Sequence, residues 1–342
     1  MLALDRAVRD LLRAWARSAG KGSEMDSSGR SLGGGSGEHS AHGGDAAMAA
    51  RWPDAPRPLL DLSTGISPFA YPVQALPASV WTHLPQSGAE ADLRQAMANY
   101  LGVECADRLC LAPGSQILIN QLPYLFAPSV VGVLSPTYGE HQPAWQRAGH
   151  DVRALRTLRE AADGIDVLVL TNPNNPDGQW FERASLLDLV GRPAGPSHLV
   201  VDEAFADIMP AVSLAGHAGV APVTVVRSFG KFFGLAGVRL GAMVGSAGLV
   251  RSMAQRLGPW AVAGPALAIG RAAYADTAWH DAMRTRLAQR ASDLDHLLAD
   301  TGLSLVGGTS LYRLIFDETA PALWEGLGRR GILVRAFADH PG

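Results

Sequence analysis

The chain of 342 residues is short of cysteine, of net charge and of long apolar runs, and each shortage removes a class of protein. Cys105 and Cys110 are its only cysteines, too few and too close in sequence for a disulfide framework or a four-ligand zinc site, and a reducing, cytoplasmic setting fits them. The formal net charge is only −3, which gives no electrostatic reason to expect nucleic acid or an anionic membrane as partner. No apolar run approaches the roughly 20 residues of a membrane span. Nor does the chain open with the charged and apolar segments of a secretory signal. What is left is a globular composition, 47% hydrophobic with mean hydropathy near zero, at a length sufficient for two domains.

The stretch richest in chemistry is Ser228 to Gly241, SFGKFFGLAGVRLG. Ser228 lies three residues before Lys231 and Arg239 eight after it, while Gly230, Gly234, Gly237 and Gly241 leave the backbone slim enough to pass close to a ligand. A hydroxyl, an amine and a guanidinium so placed suit a phosphate. The β-branched run Val223 to Val226 predicts a buried strand that delivers this set at its end, where open sheets bind ligands. Alone, Lys231 reads as a solvated surface lysine; its neighbours in the chain change that.

Cys110 to Phe126 predicts a strand, a turn at Pro113-Gly114 and a helix opening at Ser115, whose unpaired N–H groups attract an anion. The apolar run Val130 to Ser135 leads into Pro136-Thr137-Tyr138. Asp166 to Gly178, DVLVLTNPNNPDG, is a buried strand ending in an Asn/Pro-rich turn. His198 to Phe205, HLVVDEAF, is a strand that finishes on the carboxylate Asp202. Ala89 to Leu101 has helical apolar spacing and stops before Gly102.

Together these stretches resemble the pyridoxal-phosphate enzymes of the aspartate aminotransferase fold, whose motif is Ser/Thr-x-x-Lys with a downstream Arg. The resemblance implies an α/β protein of fold type I, with a large domain built on a mostly parallel seven-stranded sheet between helices and a smaller α+β domain. It implies pyridoxal 5′-phosphate as cofactor, held as a Schiff base by Lys231. Asp202 is then the partner of the protonated pyridine nitrogen, Asn175 the donor to the 3′ oxygen and Tyr138 the aromatic on the ring. Gly114, Ser115, Gln116, Ser228 and Arg239 are the phosphate ligands it implies. It calls for no metal.

Within the family, DEAF, PTYGEH and RSFGKFFGLAGVRLG look most like the threonine-phosphate decarboxylase branch, beside the histidinol-phosphate aminotransferases. Phe205 stands where many aminotransferases have a tyrosine bonded to the 3′ oxygen. Leu84 stands where many have a tyrosine that reaches the neighbouring subunit's phosphate. HGGD from His42 to Asp45 and LDLSTGISPFAYP from Leu60 to Pro72 resemble the arm bordering the substrate pocket, with Ser67 in place of the usual asparagine. Arg335, at the end of GILVR, resembles an arginine for the substrate's anionic groups; a strand-end surface arginine is the plain alternative, as a mobile tail histidine is for His42.

These features imply decarboxylation of L-threonine O-3-phosphate, a small phosphorylated amino acid, for cobalamin biosynthesis, by a homodimer whose subunits both line each site. Transamination of histidinol phosphate or a related amino acid is the alternative. A third reading, a catalytically weak cofactor-binding protein cut short, follows because no arginine matches the family's last α-carboxylate clamp before Gly342. The expected divisions are an extension over 1–41, helical at 2–17 and then disordered, with Met25 a candidate start; an arm with a small-domain segment over 42–84; the large domain over 85–245; and the small C-terminal domain over 246–342.

Overall fold

The computed structural model describes residues 43–44, 50–162 and 164–337. The expected helix over 2–17, nearly all of the Gly/Ser-rich stretch and His42 lie outside the described residues. The chain groups into two compact units, a smaller one of residues up to Gly65 with Ala288–Gly307 and Tyr312 onward, and a larger one of Ile66–Leu287 with Gly308–Leu311.

In the smaller unit, β1 (Leu60–Asp61) pairs in parallel with β11 (Ile332–Leu333), and β9 (Ser304–Thr309) pairs with β10 (Tyr312–Phe316). Trp52, Ala55 and Leu333 form its buried centre, with the Trp52 and Trp324 rings edge to face at 4.9 Å. Of the GILVR stretch that ends on Arg335, only Ile332 and Leu333 are paired as strand.

The larger unit is built on seven strands: β2 (Leu109–Ala112), β3 (Val130–Leu134), β4 (Asp151–Leu155), β5 (Val167–Thr171), β6 (His198–Asp202), β7 (Val223–Ser228) and β8 (Gly241–Val244). Their spatial order is β2-β8-β7-β6-β5-β3-β4. Strands β3 to β7 run parallel, and β8 is antiparallel to both β7 and β2. Apolar residues occur at successive positions because both faces are covered: Leu168, Leu170, Leu199, Val201 and Val225 enter one core, and Val167, Val169, Val200 and Val226 enter the other.

The covering helices include α1 (Ser87–Leu101), α2 (Ser115–Gln121), α3 (His141–Arg147), α4 (Arg183–Gly191), α5 (Ala247–Leu257), α6 (Gly264–Ala275), α7 (Thr277–Ala299) and, in the smaller unit, α8 (Ala320–Gly328). Gly102, with φ of 67°, ends α1 in the left-handed conformation expected of it. Residues 246–287, expected above in the C-terminal domain, group instead with the larger unit. The physical reason is the apolar face of α6: Leu267, Ala273 and Tyr274 enter the core that contains Leu93 of α1. Gly270 permits the approach, since a Cβ there would fall 2.5 Å from Leu240 Cδ2.

Chain direction through the sheet reverses between β3 and β5. From β3 the chain moves outward to β4, whereas β5, β6, β7 and β8 progress the other way. In open α/β sheets such a switch point, at the carboxyl ends of the strands, is where ligands bind.

Candidate active site

The residues singled out in the sequence leave the carboxyl ends of adjacent parallel strands. Tyr138 follows β3, Asn175 follows β5, Asp202 closes β6, and Ser228 closes β7 three residues before Lys231. Register places Asp202 level with Thr171 on one side and Val226 on the other, and Ser228 level with Gly241.

Asp202 is 3% exposed and both its carboxylate oxygens are held. Oδ1 accepts from the Ala204 N–H at 3.0 Å, and Oδ2 lies 3.0 Å from Nε2 of the buried His141. The carboxylate is therefore fixed in orientation before any ligand arrives. The sequence reading did not single out His141. The available signal was its place at the start of a helix three residues after Tyr138, whose ring lies 6.0 Å from that of His141 and nearly perpendicular to it.

The three asparagines after β5 differ in their engagement. Asn172 donates to the carbonyls of Phe181 and Val212 and accepts from the Phe181 N–H; Asn174 donates to the Pro136 carbonyl and Asp177 and accepts from Thr137. Both are consumed in shaping the turn. Asn175 is half-buried and makes no side-chain hydrogen bond among the described residues, so its amide is the one available to a ligand.

A cradle forms where Gly114 meets β8 and Arg239. Gly114 has φ of 92° just before α2, and a Cβ there would fall 2.5 Å from Arg239 Nη2. A Cβ on Gly241 would fall 2.6 Å from the Ser115 nitrogen and 2.7 Å from the Gly114 carbonyl carbon. Gly241 is thus required by the close approach of backbone, and Gly114 by its positive φ. Arg239 is itself left-handed at φ of 53°, a conformation that costs a non-glycine residue about 1 kcal/mol and is concentrated at functional sites. Gln116 spends its side-chain oxygen on the Tyr138 hydroxyl, 2.8 Å away, which ties the aromatic to the cradle. Ser228 is buried, and its hydroxyl makes no hydrogen bond among the described residues.

Lys231 is the side chain of FGKFF that stays only half-buried, with Phe229, Phe232 and Phe233 all fully buried around it. Its Nζ lies 5.7 Å from the centre of the Phe205 ring. The Lys231 carbonyl accepts from the N–H groups of Ser67, at 2.8 Å, and Gly234. Ser67 therefore meets the lysine loop through its backbone, while its hydroxyl closes on the Phe69 backbone at 3.2 Å.

In the smaller unit, Gly43 and Gly44 of the HGG element sit on Ser63, whose hydroxyl accepts from the Gly44 N–H at 2.8 Å. Arg335 places its guanidinium 5.0 Å from the centre of the Phe337 ring. Arg313 makes a two-point pair with Asp295 and so already holds a carboxylate of this chain.

Residues 73–339 match the family described as aminotransferase class I and II. The chain belongs to that family. A threonine-phosphate decarboxylase of Pseudomonas aeruginosa is 42% identical over 300 residues, 86% of this chain and 89% of that protein. A threonine-phosphate decarboxylase of a Sinorhizobium species is 40% identical over 87% of this chain and 90% of its own length. The fold resembles the crystal structure of histidinol-phosphate aminotransferase from Sinorhizobium meliloti in complex with pyridoxal-5′-phosphate, with a TM-score of 0.68 at 20% identity, over 90% of this chain and 92% of that one. The seven-stranded mostly parallel sheet is thus the architecture of an aminotransferase class I and II protein, as the sequence motifs implied.

Proposed function

We propose that this site holds pyridoxal 5′-phosphate and that the chain is a lyase that decarboxylates L-threonine O-3-phosphate, giving (R)-1-amino-2-propanol O-2-phosphate for cobalamin biosynthesis. The observation that carries the reading is the convergence at one sheet edge of the buried, doubly held Asp202, the uncommitted Asn175 amide and Ser228 hydroxyl, and the Gly114–Gly241–Arg239 cradle. Two relatives of 40% identity or more carry the same activity in their names.

The residues fit the cofactor. Ser115 and Gln116 bring backbone N–H groups at a helix start, Gly114, whose own N–H is donated to the Ala112 carbonyl, leaves room beside them, and Ser228 adds a hydroxyl and Arg239 a guanidinium, the groups that suit a phosphate dianion. Asp202 supplies a fixed buried carboxylate for a ring N–H, Asn175 an amide for the ring oxygen, Tyr138 an aromatic face and Lys231 the amine for covalent attachment. Pyridoxal phosphate, when bound, supplies an electron-withdrawing ring that labilises a bond at the substrate α-carbon. The protein decides which bond by orienting the substrate, and Lys231 is the group placed to carry a proton once its amine is released. Phe205 brings no hydroxyl, so position 205 adds no hydrogen bond to the ring oxygen; a neutral contact of that kind is worth about 1 kcal/mol. Through the resemblance, Arg335 is assigned to the substrate's anionic groups, with His42 and Ser67 at the pocket border. A cytoplasmic homodimer belongs to the same proposal.

The test is to incubate cofactor-loaded protein with threonine O-3-phosphate and measure carbon dioxide, beside a parallel assay of amino transfer to 2-oxoglutarate. Carbon dioxide without transfer is expected. Transfer without carbon dioxide would replace the decarboxylase by an aminotransferase. In Lys231→Ala the visible absorbance of the attached cofactor and the turnover are both expected to vanish; a variant that keeps both would remove Lys231 from its role.

A further inference from the structure

Behind the site, and not in it, lies an ionic network of Arg227, Glu203 and Asp207. Arg227 is 2% exposed and immediately precedes Ser228. Its Nη1 donates to Glu203 Oε2 at 2.8 Å and its Nη2 to Asp207 Oδ1. Glu203, fully buried and next to Asp202, also accepts from the Ser213 hydroxyl and the Leu214 N–H, each at 2.6 Å. Asp207 accepts from the Tyr100 hydroxyl at 2.9 Å, and Arg284 donates to that hydroxyl at 3.0 Å and to the Asp207 carbonyl at 2.7 Å.

Burial opposes the charge on Arg227, but Asp207 and Glu203 outweigh it and hold the guanidinium protonated. Apolar side chains of similar volume fill such a space with equal or better stability, so a fully buried ionic cluster is weak evidence for stability and better explained by the arrangement it enforces. Here the arrangement is specific. The Glu203 N–H donates to the Val226 carbonyl at 2.8 Å, and the Ala204 N–H, the next in the chain, is the donor that fixes Asp202 Oδ1. Asp207 anchors the turn that carries Phe205, whose ring faces Lys231. Arg227 thus ties the segment 202–207 to the segment 227–231 by a two-pronged side chain, and four groups of the site, Asp202, Phe205, Ser228 and Lys231, hang from those two segments.

We propose that Arg227 is a positioning residue: by clamping Glu203 and Asp207 it sets the mutual placement of Asp202, Phe205 and Ser228, and so tunes cofactor binding and turnover without touching either ligand. The proposal rests on the reading of this site as one for pyridoxal phosphate. A planar fork reaches both carboxylates at once, whereas a lysine in its place reaches one.

The experiment compares wild type with Arg227→Lys, measuring the thermal midpoint, the pyridoxal 5′-phosphate dissociation constant of the apo form, the pH dependence of bound-cofactor absorbance, and kcat and KM for carbon dioxide release. Expected are a dissociation constant raised about tenfold or more, a displaced absorbance titration, and kcat lowered about tenfold or more with KM within about threefold. A dissociation constant and titration equal to wild type, whatever the change in thermal midpoint, would reduce the network to a structural role and overturn the proposal. Should Arg227→Lys not fold, Tyr100→Phe removes one hydrogen bond from Asp207 while leaving both ion pairs. The same displacement, smaller, is then expected, and its absence is equally decisive. If wild type binds the cofactor but releases no carbon dioxide, the substrate reading fails while the two cofactor measurements still decide the role of Arg227.

Discussion

Asp202 and Asn175 are two polar side chains at the proposed site in opposite states of engagement. Asp202 is held from both sides by groups that remain in place whether or not a ligand is bound, so its charge is pre-oriented at no cost during the reaction. Asn175 instead makes no side-chain hydrogen bond among the described residues, whereas Asn172 and Asn174 are engaged on both amide atoms. From this contrast, Asp202→Asn is expected to lower turnover by about a hundredfold or more while cofactor affinity falls less than about tenfold, because the proposed phosphate cradle is untouched. His141→Phe removes only one of the two holders. Turnover should fall roughly tenfold to a hundredfold with the fold intact, the range seen when an outer partner of a functional group is lost. Steady-state kinetics beside a cofactor titration checks both, and an Asp202→Asn protein of wild-type turnover would require another partner for the ring nitrogen.

Strand β8 and its neighbour α2 make the next level visible, since the cradle exists only because two backbones nearly touch. In Gly241→Ala the added methyl meets the Ser115 nitrogen and the Gly114 carbonyl carbon, which are backbone and cannot swing aside. That variant is expected to lose at least about 2 kcal/mol of stability and most of its cofactor affinity, measured by chemical unfolding and by dialysis. A different sensitivity sits at the other end of β6. His198, packed by Phe126 and bonded to Thr224, has its pKa lowered by burial to about 4. It stays neutral in the folded chain, whereas the unfolded chain binds the proton below about pH 6.5. Its stabilising contribution is therefore complete above pH 6.5 and is lost as pH falls toward 4, a window worth about 3 kcal/mol. His198→Phe should flatten the dependence of unfolding free energy on pH between those values; an unchanged slope would assign the acid sensitivity to other groups.

At the scale of the whole molecule, folding separates groups that the sequence presents as alike. Cys105 and Cys110 are equivalent in composition, yet Cys105 is exposed and Cys110 is buried in β2, where burial pushes its thiol up to about 12. A thiol reagent at neutral pH should modify one cysteine per native chain and two after unfolding, and rapid native labelling of both would mean that β2 opens.

The same separation explains what was legible. Strands β3, β5, β6 and β7 announce themselves as β-branched runs because parallel strands are covered on both faces. Strand β4, DVRAL, has polar and exposed positions at the sheet edge, and α6 is an Ala/Gly-rich helix whose burial depends on Leu93 and Leu240; neither carries a local signal. Lys231, Asp202, Asn175 and Arg239, proposed here as cofactor residues, could be singled out in the sequence because their spacing follows strand ends that local sequence already defines. His141 and Arg227 were not, because each is recognised only by a partner 61 or 24 residues away. The sequence by itself determined the chemical groups, their order and the strand ends that carry them, since these depend on residue type and near neighbours. Tertiary structure alone decided which asparagine is free, which cysteine is shielded and which charges lie behind the site, because a polar group is free or engaged according to partners brought to it from distant parts of the chain.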